Sequence, residues 1–310
     1  MKIQFIGTGA GIPSRQRNVS SLALKLLDER NEVWLFDCGE ATQHLILEST
    51  IRPRKITKIF ITHMHGDHIF GLPGLLSSRS FQGGEEPLEL FGPPGIKAYL
   101  EGALTYSRSR LTYSLKINEL DLNGGKLNFD QGWQVTYLPL EHGIPCLGYR
   151  VQEPDFPGQL MVDRLIDYQI PNGPIYGQLK RGESVELEDG RLIHGKDFLA
   201  PERKGRRVTI LGDTRLCRNS IELAQDSDVL VHEATHDSKE SKMAHAYYHS
   251  TTIQAAKVAK EAKVKQVYLN HISARYLGKA VLALEKEAQA VFPNSRIVND
   301  MDEFDIPIQD

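Results

Sequence analysis

Cysteine is scarce in this chain: Cys38, Cys146 and Cys217 are the three present in 310 residues, far apart and in no CxxC spacing. An odd, scattered set argues against a cysteine zinc site and for a reducing compartment, the cytoplasm. Long hydrophobic runs are lacking too. None approaches the ~20 residues of a membrane span, and residues 1–7 turn into a glycine loop too early for a secretory signal. Nor is positive charge in excess. Lys and Arg number 37 against 40 Asp and Glu, a formal net charge of -3, which excludes a globally basic nucleic-acid binder but leaves local patches open. Repeats and low-complexity tracts are absent. What is there is a globular composition, 40% hydrophobic and 25% charged. The length amounts to two average domains or one large layered domain, enough to bury a core without staples.

Short apolar runs recur, each ending in polar or glycine-rich sequence. Residues 3–6 precede Gly7-Thr8-Gly9, and 33–36 precede Asp37-Cys38-Gly39. Residues 59–62 lead into His63, 135–140 into Glu141-His142, and 208–211 into Gly212-Asp213. The pattern closes with 229–231 before His232-Glu233 and 267–269 before Asn270-His271. Such runs, bounded by turn residues, read as buried strands. Segments 39–48 and 252–262 carry apolar residues at helical spacing, and Ser250-Thr251-Thr252 offers hydroxyl caps to the second. Strands and helices in this order indicate an α/β layered sandwich. Ligands gather at the carboxyl ends of strands in α/β sheets, so polar residues ending neighbouring strands converge. The stretch 150–207 differs, with Pro154, Pro157, Pro171, Pro174 and Pro201 among glycines and short apolar runs. It reads as an inserted arm rather than a second core, or else as a set of long loops.

Eleven histidines are present and unevenly spread. His63, His65 and His68 fall within six residues, in His63-Met64-His65-Gly66-Asp67-His68 at the end of a strand. Neutral imidazole and carboxylate are what zinc and other borderline divalent metals prefer. Four donors in one tight turn exceed what a single tetrahedral ion takes from one loop, which points to more than one ion. Further ligands are available at other strand ends: His142, Asp213 and His271. Each alone is equally a hydrogen-bonded structural residue. Together they complete two coordination shells, and a carboxylate such as Asp213 can bridge two ions. Asp37 is either an outer partner of a ligating histidine or a turn stabiliser.

The spacing His-x-His-x-Asp-His followed by His, Asp and His resembles the metallo-β-lactamase superfamily, whose fold is a four-layer αββα sandwich. Pro13-Ser14-Arg15-Gln16-Arg17-Asn18, His232-Glu233-Ala234-Thr235, Ala246-Tyr247-Tyr248-His249-Ser250-Thr251 and His271-Ile272-Ser273-Ala274-Arg275-Tyr276 resemble motifs of the ribonuclease Z family, the tRNA 3′-processing endonucleases. The likeness covers nearly the whole chain, including Gly173-Pro174 in the arm, with Arg15 where the family carries Lys.

The resemblance implies a single domain, 1–310, with 150–207 as an inserted tRNA-binding exosite. It implies two zinc ions per subunit, one on His63, His65 and His142, the other on Asp67, His68 and His271, with Asp213 between them. Asp67 is then the candidate general base and His249 the candidate proton donor, held charged by Glu233. Water as nucleophile implies a 3′-hydroxyl on the tRNA and a 5′-phosphate on the trailer. Precursor tRNA is the implied partner, in a homodimer whose arm and active site lie on different subunits. Cationic candidates for phosphate contact are Arg15, Arg17, Lys180, Arg181 and Arg275, with Arg52-Pro53-Arg54-Lys55 and Arg203-Lys204-Gly205-Arg206-Arg207 as further patches. The competing readings are a small-molecule hydrolase of the same fold, acting on a thioester, lactone or cyclic phosphodiester, and a metal-free RNA-binding module.

Overall fold

The computed structural model describes residues 1–308. By chain contacts it divides into two compact units, one of Met1–Gln152 with Arg207–Pro307 and one of Glu153–Arg206.

The larger unit holds two seven-stranded sheets. The first runs in the order Glu303–Asp305, Lys2–Gly7, Ser21–Leu26, Glu32–Phe36, Ile56–Phe60, Leu88–Gly92, Leu115–Glu119. The second runs Ser295–Ile297, Gln266–Asn270, Val229–Glu233, Arg207–Ile210, Cys146–Gln152, Gln134–Leu140, Gly125–Asn128. In each, four consecutive strands pair in parallel.

Side-chain alternation explains why these strands read as continuous apolar runs. Phe5, Leu22, Leu24, Trp34, Phe36 and Phe60 pack between the sheets against Tyr149, Val208, Val231 and Tyr268. Their neighbours Ile6, Ala23, Leu35 and Ile59 point the other way, into a second apolar layer with Leu72, Leu75 and Leu100 of the helices Leu72–Phe81 and Ile96–Tyr106. On the far side Leu230, Val267 and Leu269 meet Ala255, Ala259 and Leu284 of Thr252–Glu261 and Lys279–Gln289. Strands buried on both faces have no polar face to show. The result is helix, sheet, sheet, helix, the expected four-layer αββα sandwich.

Strand ends differ slightly from the expected ones. The run through Thr62 is strand only to Phe60, and the helix expected over 39–48 forms at Thr42–Leu47. Ala41 at its start is left-handed, with φ 61°, so the chain before it cannot be helical. Thr251 caps the helix Thr252–Glu261 in a full capping box with Gln254. Among the described residues no helix is long and apolar enough to cross a membrane.

The unit Glu153–Arg206 contains helices Val162–Asp167 and Pro174–Lys180 and the hairpin Ser184–Glu186/Leu192–His194. It encloses a small apolar cluster of its own, Leu165, Ile170, Leu179, Leu187, Ile193 and Phe198. The expectation that this stretch lacks a core is therefore corrected. Gln152 ends one strand of the larger unit and Arg207 begins another, which narrows the inserted segment to the residues between them. Within it Arg206 and Glu153 form a buried two-pronged pair, with both N–O contacts at 2.6 Å.

Candidate metal centre

Polar side chains at the strand ends converge, as the layered reading requires. After Ile56–Phe60 the chain stays extended to His65, then turns into the short helix Gly66–Ile69. The Phe70 ring lies over Gly66, where a Cβ would stand 2.2 Å from it, so a larger residue would displace that exposed ring. Asp213 follows Arg207–Ile210, His271 follows Gln266–Asn270, and His142 follows Gln134–Leu140.

Two groups of nitrogens and oxygens result. His65 Nδ1 lies 3.1 Å from His63 Nε2 and 3.1 Å from His142 Nε2. Asp67 Oδ2 lies 3.5 Å from His68 Nε2 and 3.4 Å from His271 Nε2. Asp213 stands between them: its Oδ2 is 3.8 Å from His63 Nε2 and 3.2 Å from His271 Nε2, and its Oδ1 is 3.6 Å from His68 Nε2. All seven residues expected from the sequence as ligands are thus brought together.

The outer partners settle which nitrogen of each ring faces inward. His68 Nδ1 donates to Asp37 Oδ2 at 2.7 Å. His63 Nδ1 donates at 3.0 Å to the hydroxyl of Thr62, which itself donates to Asp37. His271 Nδ1 donates at 2.8 Å to Thr235, whose hydroxyl donates to Glu233. His142 Nδ1 donates to the Tyr248 carbonyl at 3.1 Å. Carboxylates and carbonyls cannot donate, so each of these four rings carries a proton on Nδ1 and turns Nε2, the nitrogen that would ligate a cation, towards the cluster. Asp37 therefore serves as an outer partner, and its backbone, at φ 55°, is left-handed as well. Thr62, Thr235 and the Tyr248 carbonyl were not singled out by sequence. Threonines beside histidines in Ile61-Thr62-His63 and in the His232–Thr235 motif were a usable signal, whereas any residue supplies a carbonyl.

Does this donor set fit a cation? His68 Nε2 is buried and has no hydrogen-bond partner. His63 and His142 both point lone pairs at a single nitrogen of His65, which can donate to only one of them. An arrangement that leaves lone pairs facing one another and a buried nitrogen unsatisfied is costly by itself. Divalent metal ions remove that cost, and imidazole with carboxylate suits zinc. The residues fit.

Beside the cluster, His249 Nδ1 lies 2.9 Å from Glu233 Oε1. Glu233 is 2% exposed and also accepts the Thr214 N–H and the Thr235 hydroxyl. Burial opposes the charged imidazole, but the Glu233 carboxylate outweighs it and pushes His249 up to about 9. The His249 ring sits 5.2 Å from that of His142 and 5.4 Å from that of His271. His232, His236 and His245 make other contacts, with the Glu233 carbonyl, Glu240 and Arg215 respectively, and the His236 ring lies 6.2 Å from that of His249.

The cationic candidates divide. Arg17 is 6% exposed, and its guanidinium donates to Thr8, to the Val298 carbonyl and to Asn299 at 2.5 to 2.9 Å. It pins its loop to the chain near 299, so its expected role as an RNA contact is corrected to a scaffold role. Arg15 is exposed on the same loop, whose Gly11 N–H donates to Asp67 Oδ2 at 2.9 Å. Arg275 is half exposed and paired with Glu240 at 2.7 Å. Lys180 and Arg181 belong to the other unit, where Arg181 is bound to Glu183. Residues 153–206 hold ten Asp and Glu against eight Lys and Arg, a net charge of −2. Any hold on RNA there comes from placed cations, not from net charge.

A two-sheet sandwich with this donor cluster at its strand ends defines a metal-dependent hydrolase of the metallo-β-lactamase class. The metallo-beta-lactamase fold protein YhfI from Bacillus subtilis shares the fold, at 18% identity and TM-score 0.67 over 98% of each chain. A family model described as anti-Pycsar protein Apyc1 matches residues 1–142. Human tRNase Z, short form, is 29% identical with TM-score 0.72, covering 99% of this chain and 100% of that one. Ribonuclease Z of Limosilactobacillus reuteri (strain DSM 20016) is 58% identical over 309 residues, 100% of both chains. The chain belongs to the ribonuclease Z family.

Proposed function

We propose that the protein is a zinc-dependent endoribonuclease that removes the 3′ trailer from precursor tRNA. The observation that carries this is the meeting of seven donors in two groups, with the partly exposed His249 paired to the buried Glu233 beside them. The names of the full-length relatives, ribonuclease Z and tRNase Z, support the substrate.

In this reading His63, His65 and His142 would hold one zinc ion and Asp67, His68 and His271 a second, with Asp213 near both; such a pair would supply Lewis acidity for a phosphoryl oxygen and would acidify a water towards neutrality. Asp67 orients that water and accepts its proton; as a carboxylate that is also a ligand it is a weak base, so orientation is its larger part. His249, with Nδ1 committed to Glu233, has Nε2 to offer a proton to the leaving O3′. A bond forms from the water oxygen to phosphorus and the P–O3′ bond breaks. The tRNA keeps a 3′-hydroxyl and the trailer a 5′-phosphate, with no part for the 2′-hydroxyl. Arg15 and Arg275 are the proposed phosphate contacts in the larger unit, and Lys180 and Arg181 those of the inserted segment at the tRNA elbow. The same reading, through the family resemblance, makes the protein a cytoplasmic homodimer.

The test is incubation with a tRNA precursor carrying a 3′ trailer, followed by mapping of the cut and its ends. A single cut at the trailer junction with the stated ends is expected. An uncut precursor, or a 2′,3′-cyclic phosphate, overturns the reading.

A further inference from the structure

Tyr248 has one task that its side chain does not perform. Its carbonyl holds His142 in the right tautomer, and its backbone is left-handed, with φ 60°. A bulky residue in that region is strained, and glycine would supply the same carbonyl at less cost. Strain of this kind persists where the surroundings hold it, and it clusters at active sites and ligand clamps. Tyr248 is 38% exposed, and the Arg215 guanidinium lies 4.7 Å from the centroid of its ring. Arg215 is itself fixed: Nε is 2.7 Å from Glu141 Oε2, a terminal nitrogen is 3.3 Å from His245 Nε2, and its own N–H donates to the Glu141 carbonyl. Gly143, beside the ligand His142, lies close to the ring: a Cβ there would stand 4.0 Å from Tyr248 Cδ2.

A flat ring and a flat cation, both held in place and both partly open to solvent, form a surface for another flat group. Unpaired RNA bases stack on tyrosine rings and on arginine guanidinium planes. Because their positions are already set, little side-chain freedom is lost on binding. Which base follows from the reaction proposed above, on which this inference rests. His249 must reach the O3′ that departs, so the ribose carrying that oxygen lies at His249. Tyr248 is the adjacent residue. We propose that Tyr248 and Arg215 form a stacking platform for the base of the nucleotide whose O3′ leaves, the last nucleotide retained in the tRNA product.

The experiment compares two precursors, one intact and one abasic at that nucleotide, with wild type, Tyr248→Phe and Tyr248→Ala. On the intact precursor Tyr248→Ala should lower kcat/KM roughly 5- to 150-fold, the range of one lost base stack. Tyr248→Phe should keep most of the activity, since the ring remains. Wild type should lose a similar factor on the abasic precursor, and Tyr248→Ala should lose little beyond that, because base and ring act as one pair. Equal slowing of both precursors by Tyr248→Ala means that the ring acts only on the fold, and the proposal fails. It fails equally if wild type cuts the abasic and intact precursors alike, a measurement that needs no variant. Wild type leaving even the intact precursor uncut overturns the proposed function as well, which distinguishes the two failures.

Discussion

Replacing Asp213 by alanine should abolish cleavage, lowering kcat/KM on the order of 10³-fold or more, the several kcal/mol a metal centre supplies. The physical reason is placement. Among the described residues Asp213 is the one carboxylate within 4 Å of imidazoles from both groups, His63 on one side and His68 and His271 on the other. Without it three Nε2 lone pairs face a buried space with no shared anion, and metal content should fall with activity. Asp37→Asn is the instructive comparison. That residue touches no proposed ion directly but accepts from His68, from the Thr62 N–H and from the Thr62 hydroxyl at 2.7 to 2.8 Å. Outer partners of this kind are worth about 10- to 100-fold in metal affinity. Titrating metal back into each variant, with activity as readout, should restore Asp37→Asn and leave Asp213→Ala inactive.

His249→Ala should behave in the opposite way, losing chemistry and keeping metal. General acid catalysis contributes about 10²- to 10⁴-fold, and that is the expected fall in kcat. The pH profile carries the sign. His249 acts in its protonated form, so activity declines as pH rises through its pKa, which Glu233 raises. In Glu233→Gln the raising charge is gone, the pKa falls, and the alkaline limb should move to lower pH. Elemental analysis and a pH–rate profile of the two variants check both statements. Metal lost along with activity in His249→Ala would make the residue a ligand or a scaffold instead of an acid. Because Glu233 also accepts from Thr214 and Thr235, its variant needs a folding control by circular dichroism.

Much of this site was readable in the sequence because its core is local. Three histidines and an aspartate in six residues have no sensible existence as packing, and each remaining ligand ends a run of strand residues. The sandwich was readable for a related reason: Trp34 and Leu35, or Leu230 and Val231, are both apolar because both faces of the strand are covered. What escaped was non-local. Arg17 looked like part of a cationic loop because its acceptors are Thr8, Val298 and Asn299, two of them near the far end of the chain. The inserted segment looked coreless because Leu165, Ile170, Leu179, Leu187, Ile193 and Phe198 are spread thinly among turn residues. Backbone conformation escaped as well. Nothing in the residue types announces that Asp37, Tyr248 and His271 are all left-handed, yet these three sit at the cluster. Their strain is tolerated where hydrogen bonds to Thr62, His142 and Thr235 fix the surroundings.

Anomalous diffraction at the zinc edge, from crystals of the zinc-loaded wild-type protein, tests the central claim most directly. Two peaks should appear ~3.5–4 Å apart, one among His63, His65 and His142 and the other among Asp67, His68 and His271, with Asp213 touching both. A single peak, or density away from these residues with Asp213 facing neither group, would contradict it.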